Sequence, residues 1–132
     1  MVLGEKLRKR LGEVHWANSK KIDKTDNKAR RLYAIMHDNG KNIGVSKIRG
    51  YNNNTKNKER LYKLNIDKYP LTKHCGIDKK IYYQRNDNKC LLKITDKDIF
   101  DIDTAFVLSS HDTHRAMKHT GALRSNKKGR KN

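Results

Sequence analysis

The sequence predicts a mainly β protein: a small barrel of about six or seven short strands, followed by one helix near the C-terminus. Short runs with apolar residues recur along the chain, and clusters of Gly, Asn, Asp and Lys separate them. Hydrophobic residues make up only 34% of the 132 residues, which limits the core to that of a single small domain. Closing the sheet removes edges that so small a core would leave exposed.

In the first half of the chain, alternation of apolar and polar residues predicts a strand over 12–18. The charged stretch that follows, 19–30, is typical of a loop. The next apolar runs flank the sequence Asp-Asn-Gly-Lys, a strong signal for a tight hairpin turn. The predicted hairpin therefore has strands at 31–37 and 42–48, a turn at 38–41, and an Asn- and Lys-rich loop at 49–59.

In the second half, a strand is expected before the single proline, Pro70, and the remaining strands after it. The segment 109–119 has the pattern of a helix, with Ser109 or Ser110 as N-cap and Gly121 as its end. The other predicted elements are strands at 60–66, 77–84, 90–95 and 103–109, with a helical turn at 96–101.

Both ends of the chain are strongly basic. Residues 1–11 are expected to form a basic arm and 121–132 a basic disordered tail, so the folded domain is expected to span 12–120. The first ten residues lack the apolar stretch of a secretory signal, and no apolar run is long enough to span a bilayer. We therefore expect a cytoplasmic protein without a membrane partner.

The net charge is +18, from 32 Lys and Arg against 14 Asp and Glu. A charge of this size opposes compaction and favours a polyanionic partner, of which nucleic acid is the commonest. Simple solubility with basic tails is the alternative explanation. Aromatic residues interleave with cations, which suits stacking on unpaired bases. The residues expected to bind nucleic acid are Trp16, Arg30, Lys47, Tyr51, Lys56, Lys58 and Arg60.

Neither the cysteines nor the histidines of the C-terminal helix predict a metal site. Cys75 and Cys90 lack a Cys-x-x-Cys spacing, and reduced, structural thiols are the favoured interpretation over a disulfide. His111 and His114 share a helix face, whereas His119 points well away from His114. No metal and no cofactor are therefore expected.

Arg31 and Arg49 lie near the open end of the predicted hairpin. Two guanidinium groups there would form a clamp for a phosphate, although two solvated strand-end arginines explain the pattern equally well. His15 is a candidate general base, because histidine titrates near neutral pH. His37 is a poorer candidate, since it lies beside the turn, at the other end of the hairpin.

The order of the segments GEVHWAN, RLYAIMHDN, NIGVSKIRG, CLLKITDKDIF and FVLSSHDTHRAMKH resembles that of the PemK/MazF-like toxins, over residues 12 to about 119. The resemblance implies an SH3-like barrel that cleaves single-stranded RNA without metal, an acidic antitoxin as partner, a homodimer, and a bacterial or mobile-element origin. Arg31 falls at the family's catalytic arginine. The family's catalytic threonine is replaced by Arg49, and Ser46 is the nearest hydroxyl on that strand.

The leading hypothesis is thus a nucleic-acid-binding protein of this kind acting as a metal-independent endoribonuclease. Arg31 would stabilise the phosphorane, Arg49 would assist, and Ser46 or His15 would transfer protons. The alternative is a non-catalytic RNA- or DNA-binding module on the same barrel, which the missing threonine favours. A third hypothesis is a basic ribosome- or chromosome-associated protein with an unrelated fold.

Overall fold

A computed structural model describes residues 10–39, 42–51, 56, 58–85, 99–101 and 103–122. The expected strand at 90–95, Cys90, and most of the basic arm and tail lie outside these residues. The described strands are β1 (Glu13–Asn18), β2 (Arg30–Asp38), β3 (Asn42–Gly50), β4 (Leu61–Lys63), β5 (Cys75–Asp78), β6 (Tyr82–Arg85) and β7 (Phe106–Val107). The helices are α1 (Ser19–Ile22) and α2 (Ser110–Thr120), and a 3₁₀ turn covers Lys58–Arg60.

The strands form one antiparallel sheet in the order β4-β5-β3-β2-β1-β7, with β6 paired to the first part of β3. β3 changes partner along its length. It pairs with β2 up to Lys47, opposite Tyr33, and with β5 from Ile48 to Gly50. This change of partner curls the sheet into a half-barrel. The prediction of a mainly β, barrel-like domain with one C-terminal helix is confirmed.

β2 is buried on both faces, which explains its nearly continuous apolar sequence. Ala34 and Met36 pack on one side, in a cluster with Val14, Ile48, Leu64, Cys75, Ile77, Leu108 and Ala116. Tyr33 and Ile35 pack on the other side, in a cluster with Ala17, Ile43, Val45 and Phe100. The core therefore lies on both faces of the central hairpin. Cys75 is buried in it as a free thiol.

The C-terminal helix α2 begins and ends as its sequence predicts. The Ser109 side chain accepts a hydrogen bond from the Asp112 N–H (3.1 Å), and Gly121 takes the left-handed conformation (φ 88°) that ends the helix. The buried Asp112 carboxylate also accepts hydrogen bonds from the hydroxyls of Tyr62 (2.6 Å) and Tyr69. These contacts hold the start of α2 against the barrel.

Several predicted element boundaries were wrong. The strand expected at 60–66 ends at Lys63, and the one expected at 77–84 is two strands, β5 and β6, separated by 79–81. The strand expected at 103–109 covers only Phe106–Val107, and the expected loop 19–30 begins with the short helix α1. None of the helices in the described ranges is long and apolar enough to cross a membrane.

Candidate nucleic-acid interface

The structure places Arg31 and Arg49 on neighbouring strands but gives each its own carboxylate. Continuing the β2–β3 register beyond Tyr33 and Lys47 would bring the two arginines opposite each other. β3 pairs with β5 instead of β2 immediately after Lys47, so this register does not extend to Arg31 and Arg49. Arg31 pairs with Asp26, and Arg49 pairs with Asp78. The hairpin mouth therefore carries two separate ion pairs.

The Asp26 carboxylate is buried and binds Arg31 in a two-point contact. Arg31 donates from Nε to Oδ2 (2.7 Å) and from Nη2 to Oδ1 (3.0 Å), while the Ser19 hydroxyl also donates to Oδ2. Burial by itself would raise the pKa of Asp26. The hydrogen bonds from Arg31, Ser19 and the Lys28 backbone outweigh that effect and lower the pKa below its ordinary range. Asp26 therefore remains a carboxylate that holds Arg31 in place.

A second carboxylate, Asp23, joins this group through Lys47. The Lys47 Nζ lies 2.7 Å from Asp23 Oδ2 and 3.3 Å from Asp26 Oδ2, and the Tyr82 hydroxyl donates to Asp23 (3.1 Å). Hydrogen bonds from Lys47 and Thr25 lower the pKa of Asp23. Burial and the hydrogen bond to Asp23 raise the pKa of Tyr82 to about 12. We call Asp23, Asp26, Arg31, Lys47 and Tyr82 the carboxylate cluster.

Arg49 and Arg60 converge on the buried Asp78. Arg49 Nη1 lies 3.0 Å from Oδ2, and Arg60 Nη2 lies 3.1 Å from Oδ1. The two arginine side chains remain 43% and 42% exposed, so each keeps N–H donors directed to solvent. One carboxylate thus fixes two half-exposed guanidinium groups of total charge +2. Such a pair can bind the phosphates of a polyanion.

The structure places His15 and Ser46 inside the fold. His15 is fully buried, with Nδ1 3.0 Å from the Asp101 carbonyl oxygen and Nε2 3.0 Å from the Glu13 carboxylate. Both partners are acceptors, and a neutral imidazole carries a single N–H, so the tautomer decides which of the two it donates to. Ser46 is also fully buried and donates to the Lys80 carbonyl oxygen (2.8 Å). In this conformation both side chains are held by protein groups.

Trp16, within β1, and Arg30, at the start of β2, form an exposed pair. The indole is 42% exposed, and the Arg30 guanidinium lies 5.7 Å from the ring centroid. Arg30 also donates to the Asp101 carboxylate (2.8 Å), in an ion pair whose side chains are both about half exposed. This pair presents an aromatic face beside a positive charge.

A second aromatic residue with cations lies at the end of β3. The Tyr51 ring has the Lys63 Nζ at 5.1 Å and the Lys58 Nζ at 5.8 Å from its centroid. Lys63 is exposed, and so is the predicted interface residue Lys56. The structure therefore brings together two residues that were predicted separately for the interface, Tyr51 and Lys58, and adds Lys63.

Sequence reasoning missed the acidic partners of these cations. Asp23 and Asp26 lie in a stretch that reads as a solvated polar loop, and Asp78 lies in a segment predicted to be a plain strand. Nothing local in the sequence marks these aspartates, since their partners Arg31, Lys47 and Arg49 come from other elements. Within the described part of the chain, no group of three or more His, Cys, Asp or Glu could hold a metal ion.

Comparison with protein-family models found no match, and neither did a search of curated proteins.

Proposed function

We propose that this protein binds single-stranded RNA through its exposed cations and the two aromatic residues beside them. The observation that carries the proposal is the unequal placement of the charges. Four aspartates of the described residues are buried, where they hold cations and backbone groups, while most of the described lysines lie at the surface. The surface is therefore more basic than the net charge of +18 alone conveys.

Burial differs between the acidic and the basic side chains. Asp26, Asp38, Asp78 and Asp112 are each no more than 7% exposed. The exposed cations include Lys20, Lys21, Lys24, Lys28, Arg30, Lys56, Lys63, Lys68, Lys73, Lys79, Lys80, Arg115 and Lys118. Exposed like charges at this density repel one another and are neutralised by a polyanion, with release of its counterions.

A single strand is favoured over a duplex by the aromatic residues. Trp16 and Tyr51 each have a cation near the ring, and a base can stack on an aromatic face only when it is unpaired. A duplex would engage the lysines but leave both rings unused. Stacking contributes about 1–3 kcal/mol per base, enough to set the preference for single strands.

The test is fluorescence anisotropy with a labelled single-stranded RNA and a duplex of the same length, measured over a range of salt concentrations. We expect tighter binding of the single strand and a steep loss of affinity with salt. Trp16→Ala should weaken binding about 5- to 150-fold, the loss of one stacked base. Tyr83→Ala is the matched control, because Tyr83 is 60% exposed and its ring contacts His37. Equal losses in the two variants, or tighter binding of the duplex, would refute the proposal.

A second candidate function is metal-independent cleavage of that RNA, as the resemblance to PemK/MazF-like toxins implies. The carboxylate cluster favours it, because two cations and a phenol meet there. A phosphate that displaces Asp23 and Asp26 from Arg31 and Lys47 would place both cations beside the phosphorane. Tyr82, with a pKa of about 12, is protonated at neutral pH and can donate to a leaving oxygen.

Cleavage is tested by incubating a long single-stranded RNA with protein in EDTA and separating the products on a denaturing gel. Discrete fragments from the wild type that are lost with Tyr82→Phe would support the cluster as the active site. The phenylalanine variant keeps the ring and removes only the hydroxyl. If the wild type binds the RNA but leaves it intact, binding stands as the function and the proposed cleavage is refuted.

A further inference from the structure

A cavity of about 350 Å³ opens beside β4, and its lining combines apolar, amide and charged groups. This volume lies within the range of small-molecule sites. The lining residues are Lys63, Leu64, Asn65, Ile66, Asp67 and His74. Apolar walls with a few polar groups suit a ligand that has a flat ring system and a charged end.

Tyr51 lies next to this cavity. Its N–H donates to the carbonyl oxygen of His74 (2.8 Å), a residue of the cavity wall. Lys63 belongs to both features, because it lines the cavity and its Nζ lies 5.1 Å from the Tyr51 ring centroid. An aromatic ring, an exposed cation and an open cavity therefore adjoin one another.

The lysines near the Tyr51 ring do not prevent a base from stacking on it. An exposed contact between an ammonium and a ring is weaker than stacking of a base on the ring. Lys58 and Lys63 have long flexible side chains, so a base can displace one ammonium from the ring. The displaced ammonium then remains close enough to neutralise the phosphate of the same nucleotide.

The polar groups of the cavity fit the edge of a base. Asp67 is exposed and its carboxylate only accepts hydrogen bonds, so it matches the N–H donors of a base. Asn65 Oδ1 accepts from the Asp67 N–H (2.9 Å), which orders this part of the wall. Among the common bases, guanine presents two adjacent N–H donors, which makes its nucleotide a suitable probe.

We propose that Tyr51 and the adjoining cavity form a subsite for one unpaired nucleotide. Its base stacks on Tyr51, its Watson–Crick edge enters the cavity, and its phosphate lies beside Lys63 and Lys58. As a part of an RNA-binding surface, the subsite rests on the proposed function and adds a defined position for one base.

The test is a titration of ¹⁵N-labelled protein with guanosine 5′-monophosphate, with guanosine and with inorganic phosphate, followed by NMR. The nucleotide should shift the amides of Leu64 and His74 more strongly than phosphate at the same concentration. Tyr51→Ala should weaken its binding at least 5-fold, whereas Tyr51→Phe, which keeps the ring, should stay within 2-fold. Equal shifts with phosphate alone, or unchanged binding by Tyr51→Ala, would overturn the subsite.

RNA binding by the same wild-type protein separates the two proposals. If the protein binds single-stranded RNA but the nucleotide leaves the cavity amides unchanged, the proposed function stands and the subsite falls. If the nucleotide shifts those amides in a Tyr51-dependent way but RNA is not bound, the subsite stands as a mononucleotide site and the proposed function falls.

Discussion

Replacing Asp26 with asparagine should destabilise the fold strongly while changing almost no volume. The carboxylate is 2% exposed and holds Arg31 and Lys47, whose side chains are 15% and 11% exposed. Asp26→Asn keeps an acceptor for the Ser19 hydroxyl but leaves two largely buried cations without this anion. Removing one partner of a buried ion pair costs about 3–5 kcal/mol. Because both cations retain some access to water, we expect about 2–4 kcal/mol.

This loss is measurable by urea denaturation, followed by circular dichroism at neutral pH. A small protein has a free energy of unfolding of about 5–15 kcal/mol, so the variant loses a large share of it. With a urea m-value of about 2 kcal/mol/M, the middle of the usual range for small proteins, the midpoint should fall by about 1–2 M. Wild type and variant should have the same m-value, since both unfold the same surface.

Asp101→Asn is the matched control for this measurement. Asp101 also pairs with an arginine, Arg30, but the two side chains are 47% and 52% exposed. An exposed pair contributes about 0–1 kcal/mol, so its midpoint should move by less than about 0.5 M. Equal midpoint shifts in Asp26→Asn and Asp101→Asn would show that burial of the ion pair does not control the stability here, and would refute the reasoning.

The stabilising effect of Asp26 should also depend on pH. Because the pKa of Asp26 is lower in the folded protein than in the unfolded chain, its contribution is complete above the unfolded value, about 3.9. It is lost as the pH falls from there through the lower folded value. The difference in unfolding free energy between wild type and Asp26→Asn should therefore be constant from pH 7 to about 5 and shrink below about pH 4. A gap that widened on acidification would contradict the assigned direction.

Three further predictions concern other parts of the molecule. Asp112→Asn should lower the free energy of unfolding, measured in urea, by about 1–3 kcal/mol, because the buried carboxylate accepts hydrogen bonds from Tyr62 and Tyr69. Asp103 is exposed, so the control Asp103→Asn should have almost no effect. Arg49→Gln should reduce the slope of log affinity for RNA against log salt by about 1, with no change expected for a neutral surface substitution. Buried Cys75 should react with a thiol reagent only when the protein unfolds. The rate of this reaction should therefore increase with the urea concentration.

The elements that the sequence predicted well are those whose signals are local. The hairpin of β2 and β3 follows from two apolar runs around Asp38–Lys41, and α2 follows from a serine cap and a closing glycine. The strand expected at 60–66 was too long because its alternation continues past Lys63, whereas the chain makes turns over 66–70. Residue alternation carries no information about where a neighbouring strand stops.

The candidate site divides in the same way. Trp16, Arg30, Tyr51 and Lys58 were predicted as interface residues because aromatic residues interleave with cations along the chain. The pairing of Trp16 with Arg30 and of Tyr51 with Lys58 is seen only in the structure. The sequence did not predict that Arg31 pairs with Asp26 and Arg49 with Asp78. This pairing depends on β3 leaving β2 for β5 after Lys47.

The sequence by itself determined the mainly β class, the C-terminal helix and the large positive charge, because each of these depends on local pattern or on composition. Tertiary structure alone decided which cations are held by buried carboxylates and which remain at the surface. It also decided that His15 and Ser46 lie inside and that Lys63 and His74 meet Tyr51. The physical reason is that ion pairs and cavities join residues far apart in the chain, and the curl of the sheet sets those distances.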